Sequence, residues 1–153
     1  MSTITAGVYP VFQNQFKIGS KGRSSSDSDM VTISDLENFS PSMDNNIEEW
    51  STMTDEGWKK RMQTGKSFSI SFSGKRRIGD TGNDYVAGLL FKTAQDVESK
   101  FEWIFPDGTK VAFDCIVSVT NVGGGDSTNV GVLEFEVMSD GKPTVTEPTK
   151  TTV

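Results

Sequence analysis

The sequence predicts a mainly β, antiparallel domain with one flanking α-helix. Three stretches alternate apolar and polar side chains with a period of two: Phe68, Ile70 and Phe72; Phe101 through Val119; and Leu133, Phe135 and Val137. Only one stretch carries a convincing helical stripe. Fifteen Gly against five Pro, with many Ser and Thr between the alternating runs, suit short strands joined by turns.

Taken in order, residues 12–18 form a candidate strand. The next segment, KGRSSSDSD at 21–29, has almost no apolar content and is expected to be an exposed, mobile loop. Residues 30–33, the region around Phe39, and residues 47–53 are expected to be three short strands. Residues 55–62 suit a brief helical turn capped by Thr54 or Asp55. In 67–73, Phe68, Ile70 and Phe72 alternate with serines, so one face is buried and the other is hydroxyl-rich.

The helix is expected over 84–92, because Tyr85, Val86, Leu89 and Leu90 share a stripe and Asn83 can cap it. Two long strands follow. Val97, Phe101, Trp103 and Phe105 alternate with Glu98, Lys100 and Glu102, and Pro106-Asp107-Gly108-Thr109 turns the chain into a second run through Val111, Phe113, Cys115, Val117 and Val119. A Gly-rich connection at 122–129 leads to the last strand, antiparallel to the one before. Residues 1–143 thus form one domain, and 144–153 are expected to be a flexible C-terminal tail.

Composition excludes several classes. The net charge of −6 disfavours tight nucleic-acid binding, which needs clustered Lys and Arg. The chain has no histidine, which removes the commonest general base and metal ligand. Cys115 is the only cysteine and lies in an apolar alternation, where a thiol is a small hydrophobe; no intrachain disulfide can form. Gly65-Lys66-Ser67 mimics a phosphate-binding loop but lacks the preceding glycine and the following helix, and Gly123-Gly124-Gly125 lacks a dinucleotide-binding context. The paired carboxylates Asp27 and Asp29, or Glu48 and Glu49, follow no calcium-loop pattern. No catalytic, cofactor or metal site is expected. Neither a secretion signal nor a membrane anchor is expected, which points to synthesis inside a cell.

One distribution stands out. On the best strands the polar face carries Glu98, Glu102, Asp114, Glu134 and Glu136 against Lys100 and Lys110. If these strands share a sheet, one face is acidic.

Three segments carry a resemblance: GVYPVFQNQFKIG; IEEWSTMTDEGWKKRMQTGKSFSISFSGKRRIGDTGNDYV; and FEWIFPDGTKVAFDCIVSVTNVGGGDSTNVGVLEFEVMSDGKP. Together they resemble the tail tube (major tail) proteins of long-tailed bacteriophages, from Gly7 to Pro143. The resemblance implies a β-sandwich or half-barrel with a flanking helix, forming hexameric rings that stack into a hollow tube of the virion tail. It implies synthesis in the bacterial host cytoplasm. The partners implied are copies of the chain itself, the tape measure, the tail terminator and the distal tail proteins, with DNA passing through without tight binding. Under that reading the acidic face is a candidate lumen wall. Ser24, Ser25, Ser26, Asp27 and Ser28 are then candidate ring-to-ring contacts. Two alternatives remain: a β-sandwich carbohydrate- or protein-binding module using Trp50, Trp58 or Trp103, and the inner tube of a contractile tail or phage-derived bacteriocin.

Overall fold

The computed structural model describes residues 6–148. Eight strands form one antiparallel sheet: β1 (Gln15–Gly19), β2 (Met30–Thr32), β3 (Leu36–Trp50), β4 (Lys60–Lys75), β5 (Glu98–Ile104), β6 (Lys110–Val122), β7 (Val132–Ser139) and β8 (Thr144–Thr146). Their order is β2-β1-β5-β6-β7-β4-β3, with β8 added beside β6. The mainly β, antiparallel prediction holds.

The sheet curls around its apolar face. Phe16 of β1 and Phe39 of β3, from opposite ends of the strand order, bring their rings to 4.8 Å, and Phe72 lies edge-on to Phe16 at the same distance. Phe101, Phe113, Phe135, Ile18, Ile70, Leu133, Val117 and Val137 complete a core built by the predicted alternations. Large aromatic side chains supply much apolar area from few residues, and their edge-to-face contacts add specificity. The result is a half-barrel. One end is covered by α1 (Thr81–Ala87), whose Val86 and the following Leu89 enter the core.

Several boundaries differ from the expectation, each for a local reason. β1 begins at Gln15, because Val11–Gln13 form a 3-10 turn. The two short strands expected around Phe39 and over 47–53 are parts of one 15-residue strand, β3. Its outer half lacks alternation because both of its faces are exposed. The helical turn expected at 55–62 is a 3-10 turn at Met53–Asp55, capped by Thr52, and β4 already starts at Lys60. The helix lies earlier than expected. Asp80 is its N-cap, accepting from the Asn83 backbone N–H at 3.0 Å. Asn83 is instead fully buried inside the first turn, where its amide donates to the carbonyls of Ser34 and Lys75 and its oxygen accepts from Arg76 and the Arg77 N–H.

The Pro106–Thr109 turn is as predicted: Phe105 N–H donates to Thr109 O at 2.8 Å, and Gly108 takes the left-handed conformation (φ 94°) that a side chain disfavours. The expected tail from 144 onward is corrected in part: Thr144–Thr146 joins the sheet as β8, paired to Lys110–Ala112. Residues 149–153 lie outside the described residues.

Candidate functional site

The outer, polar face of the sheet divides into two unlike halves. Over β3, β4, β7 and β6 the pairing stacks polar residues in rows. Ser40 is opposite Ser71, Ser71 opposite Glu136, and Glu136 opposite Ser118. The next row runs Asn38, Ser73, Glu134, Asn121. The serine alternation of 67–73 thus becomes a surface of hydroxyls and amides whose charge comes from Glu134 and Glu136. A shallow groove runs between them, lined also by Thr120. Asn121 steadies the Glu134 carboxylate with a long hydrogen bond of 3.5 Å.

Over β5 and the first half of β6 the same face is crowded and mixed in sign. Glu102 is buried and lies 3.1 Å from the Lys110 ammonium. Glu98 is half-buried, 3.9 Å from Arg23, and exposed Asp114 stands opposite Lys100. The five carboxylates therefore share one face without forming one open acidic field. Glu102, as a buried partner of a cation, offers no free charge.

The cover on this half comes from the segment joining β1 to β2. Ser25, Ser26 and Asp27 line a pocket together with Lys100, Glu102 and Asp114. Its composition suggests a mobile loop, but 21–29 is folded into two 3-10 turns, Gly22–Ser24 and Asp27–Asp29. Arg23 anchors it, donating to the carbonyls of Ser99 (3.3 Å) and Cys115 (3.1 Å) and to the Asp140 carboxylate (3.0 Å). Ser25 is buried and its hydroxyl closes the first turn onto Gly22 O at 2.7 Å, so it is not a contact residue for another molecule. Ser24, Ser26, Asp27 and Ser28 remain exposed. Asp29 is held ionised below the usual carboxylate range by the N–H and hydroxyl of Ser26, the pair forming a capping box.

The largest departure from an ordinary solvent-facing surface is the hairpin β3–β4. β7 pairs with β4 only from Ser69 onward, and Ser69 pairs with Ser42, so residues 43–68 project beyond the half-barrel as a two-stranded ribbon. Met43, Ile47, Trp50, Met53, Trp58 and Met62 are all exposed along it, Trp58 by 80%. At its root is an apolar cavity of about 760 Å³ lined by Met43, Phe68, Trp103, Phe105, Val111 and Val145.

Of the three tryptophans, Trp103 belongs to the core, its indole N–H donating to Asn14 at 2.9 Å; Trp50 and Trp58 sit on the hairpin. Burial of Cys115 pushes its thiol up to about 12, far from a reactive thiolate. Sequence reading missed both Arg23 and the projecting hairpin. An arginine inside a serine run, and a 15-residue strand without alternation, were the available signals.

No family model matches the sequence, and no curated protein matches it. Solved structures do resemble the fold. A chain from the tail of an empty gene transfer agent particle with C6 symmetry superposes with a TM-score of 0.70 at 19% identity, covering 91% of this chain and 99% of that one. A chain from the virion of the native gene transfer agent particle gives 0.68 at 19% identity, with the same coverage. A chain of the sheath–tube complex of an extracellular contractile injection system, in its extended state, gives 0.57 at 13% identity, over 92% and 93% of the two chains. This chain shares its fold with those chains over nine-tenths of its length.

Proposed function

We propose that this chain is a structural virion protein that polymerises as stacked hexameric rings into the hollow tube of a phage tail, through which DNA is delivered to the host. The observation that carries the reading is the projecting hairpin. A two-stranded ribbon exposed on both faces is at best marginally stable in water. This one carries six exposed large apolar side chains that only another molecule can cover. Burying them between copies supplies an apolar driving force for assembly.

The fold likeness to a C6-symmetric tail supports the hexameric ring. The open Ser/Glu half of the polar face suits a lumen wall, because Glu134 and Glu136 repel phosphate while hydroxyls give it no cation to bind. Ser24, Ser26, Asp27 and Ser28 are the exposed members of the candidate ring-to-ring segment. In this reading the tape measure lies inside the tube, the terminator and distal proteins cap it, and the chain acts without catalysis. Likeness to a contractile injection system's sheath–tube complex favours a second reading, the inner tube of a contractile tail or related particle.

Negative-stain electron microscopy of the purified chain across a concentration series tests this. Rings or hollow tubes are expected at high concentration. A monomer that persists even with a tail initiation complex present, and that binds a glycan in titration, would replace the tube reading with the binding-module one.

A further inference from the structure

β7 ends where a short connection, pinned at both ends, leads to β8. Asp140 N–H donates to the Asp114 carbonyl at 2.9 Å, and Thr144 already stands opposite Ala112. Only Gly141, Lys142 and Pro143 lie between these fixed points. The Asp140 side chain is half-exposed, and its carboxylate holds Arg23 at 3.0 Å. Gly141 is exposed, takes φ 102°, and has nothing within 4 Å of where a Cβ would stand. Among the described residues, its N–H has no hydrogen-bond acceptor.

An aspartate followed by glycine is the pair most open to attack by the next backbone nitrogen on the side-chain carboxyl, because no Cβ shields that nitrogen. The chain has two such pairs, Asp107-Gly108 and Asp140-Gly141. The fold treats them differently. In the first, both reacting groups are engaged: Gly108 N–H donates to Phe105 O at 2.9 Å, and Asp107 Oδ1 accepts from the Thr109 N–H at 2.9 Å. In the second only the carboxylate is held, by a partner at the surface, and the nitrogen is free to approach it.

We propose that Asp140-Gly141 is a self-modification site, at which the folded chain converts to a β-linked isoaspartate, and that this conversion loosens the Arg23-anchored segment 21–29. The Gly141 nitrogen attacks Cγ of the protonated Asp140 carboxyl. The N–H proton and the carboxyl hydroxyl leave as one water, closing a succinimide ring. Water then adds at either ring carbonyl. Addition at Cγ restores aspartate; addition at the α-carbonyl breaks its bond to nitrogen and leaves the main chain running through Cβ and Cγ. No oxidant or cofactor enters, and the mass returns to its starting value.

The pinned ends give the change its consequence. The main chain gains a methylene between Asp140 Cα and Gly141, within a connection that must still deliver Thr144 to Ala112. The carboxylate, now borne directly on Cα, is one methylene shorter and withdraws from Arg23. Arg23 keeps the carbonyls of Ser99 and Cys115 but loses the nearer of its two anionic partners, since Glu98 lies at 3.9 Å. The cover over one half of the polar face is then held by fewer bonds.

The test keeps the full-length chain folded in heavy-oxygen water at neutral pH, digests it with trypsin in ordinary water and weighs the peptides. Asp107 falls in residues 101–110 and Asp140 in 111–150, because Pro143 blocks cleavage after Lys142. Each ring opening adds one heavy oxygen. The 111–150 peptide is expected to gain it several-fold faster than 101–110, and Asp140→Glu, whose longer side chain disfavours ring closure, is expected to abolish the difference. In urea both pairs are expected to react alike, which assigns the selectivity to the fold. Modified chains, separated by ion exchange, are expected to show faster hydrogen exchange over 21–29 than unmodified ones. Equal uptake by both peptides in the folded chain, or a difference that survives Asp140→Glu, would overturn the site. Modified chains with unchanged exchange over 21–29 would overturn the loosening of the segment.

Discussion

Arg23 Nη2 donates to the carbonyl oxygen of Cys115 at 3.1 Å, joining residues 92 apart in sequence. This bond, with those to Ser99 and Asp140, turns a serine-rich segment into a folded cover over one half of the polar face. Hydrogen bonds from a charged donor contribute about 1.5–3 kcal/mol. Arg23→Met is therefore expected to lower stability by about 2 kcal/mol in urea unfolding, and to raise hydrogen exchange over 21–29 while the rest of the sheet stays protected. Unchanged exchange there would remove Arg23 as the anchor.

Asn83 ties three segments together. Its amide serves the carbonyls of Ser34 and Lys75 and accepts from Arg76 and the Arg77 N–H, with no exposure to water. Asn83→Ala strands several of these groups, each at about 1–3 kcal/mol. A loss of about 3 kcal/mol is expected in urea unfolding, larger than for any exposed Asn such as Asn129. A loss below 1 kcal/mol would mean that water replaces the amide.

Asp80 links helix capping to pH. Burial opposes its ionisation, but the Asn83 N–H and the hydroxyl and N–H of Ser34 outweigh it and hold the carboxyl below its ordinary value. A carboxyl depressed in the folded state adds stability above its unfolded pKa, and this is lost as pH falls through the folded value. Asp80→Ala is expected to cost about 1 kcal/mol at pH 7, with the gap to the unaltered chain narrowing towards pH 3. A gap independent of pH would show that only the packing of the cap matters.

Glu134 and Glu136 give the lumen reading a direct check. Glu134→Lys with Glu136→Lys changes two half-exposed side chains on the polar face, so stability is expected to stay within about 0.5 kcal/mol and tubes to form. Double-stranded DNA at low salt should then co-sediment with variant tubes and not with unaltered ones, and ejection from particles should slow. Equal retention by both would place this face away from the lumen.

Where alternation recorded burial on one face, the strands were legible in advance. Phe101 to Val119 and Leu133 to Val137 became β5, β6 and β7 because a pleated strand with one buried face must repeat every two residues. β3 was not legible as one strand. Exposed on both faces over its outer half, it has no reason to alternate, and its pairing to β4 supplies the extended conformation instead. The helix appeared three residues early because Asp80 and Asn83 are both competent caps, and only the buried partners of Asn83 chose between them.

The sequence by itself determined the fold class, the aromatic core, an inert Cys115 and an acidic tendency on one strand face, since all of these follow from local periodicity and composition. Tertiary structure decided which acids are open. Glu102 and Glu134 occupy equivalent positions in their alternations, yet Lys110 and the Arg23-anchored segment cover the first and leave the second half-exposed. It also decided where neighbouring strands stop pairing. An edge is defined by where a distant strand stops, and no property of residues 117–122 states that β5 ends beside Ile116.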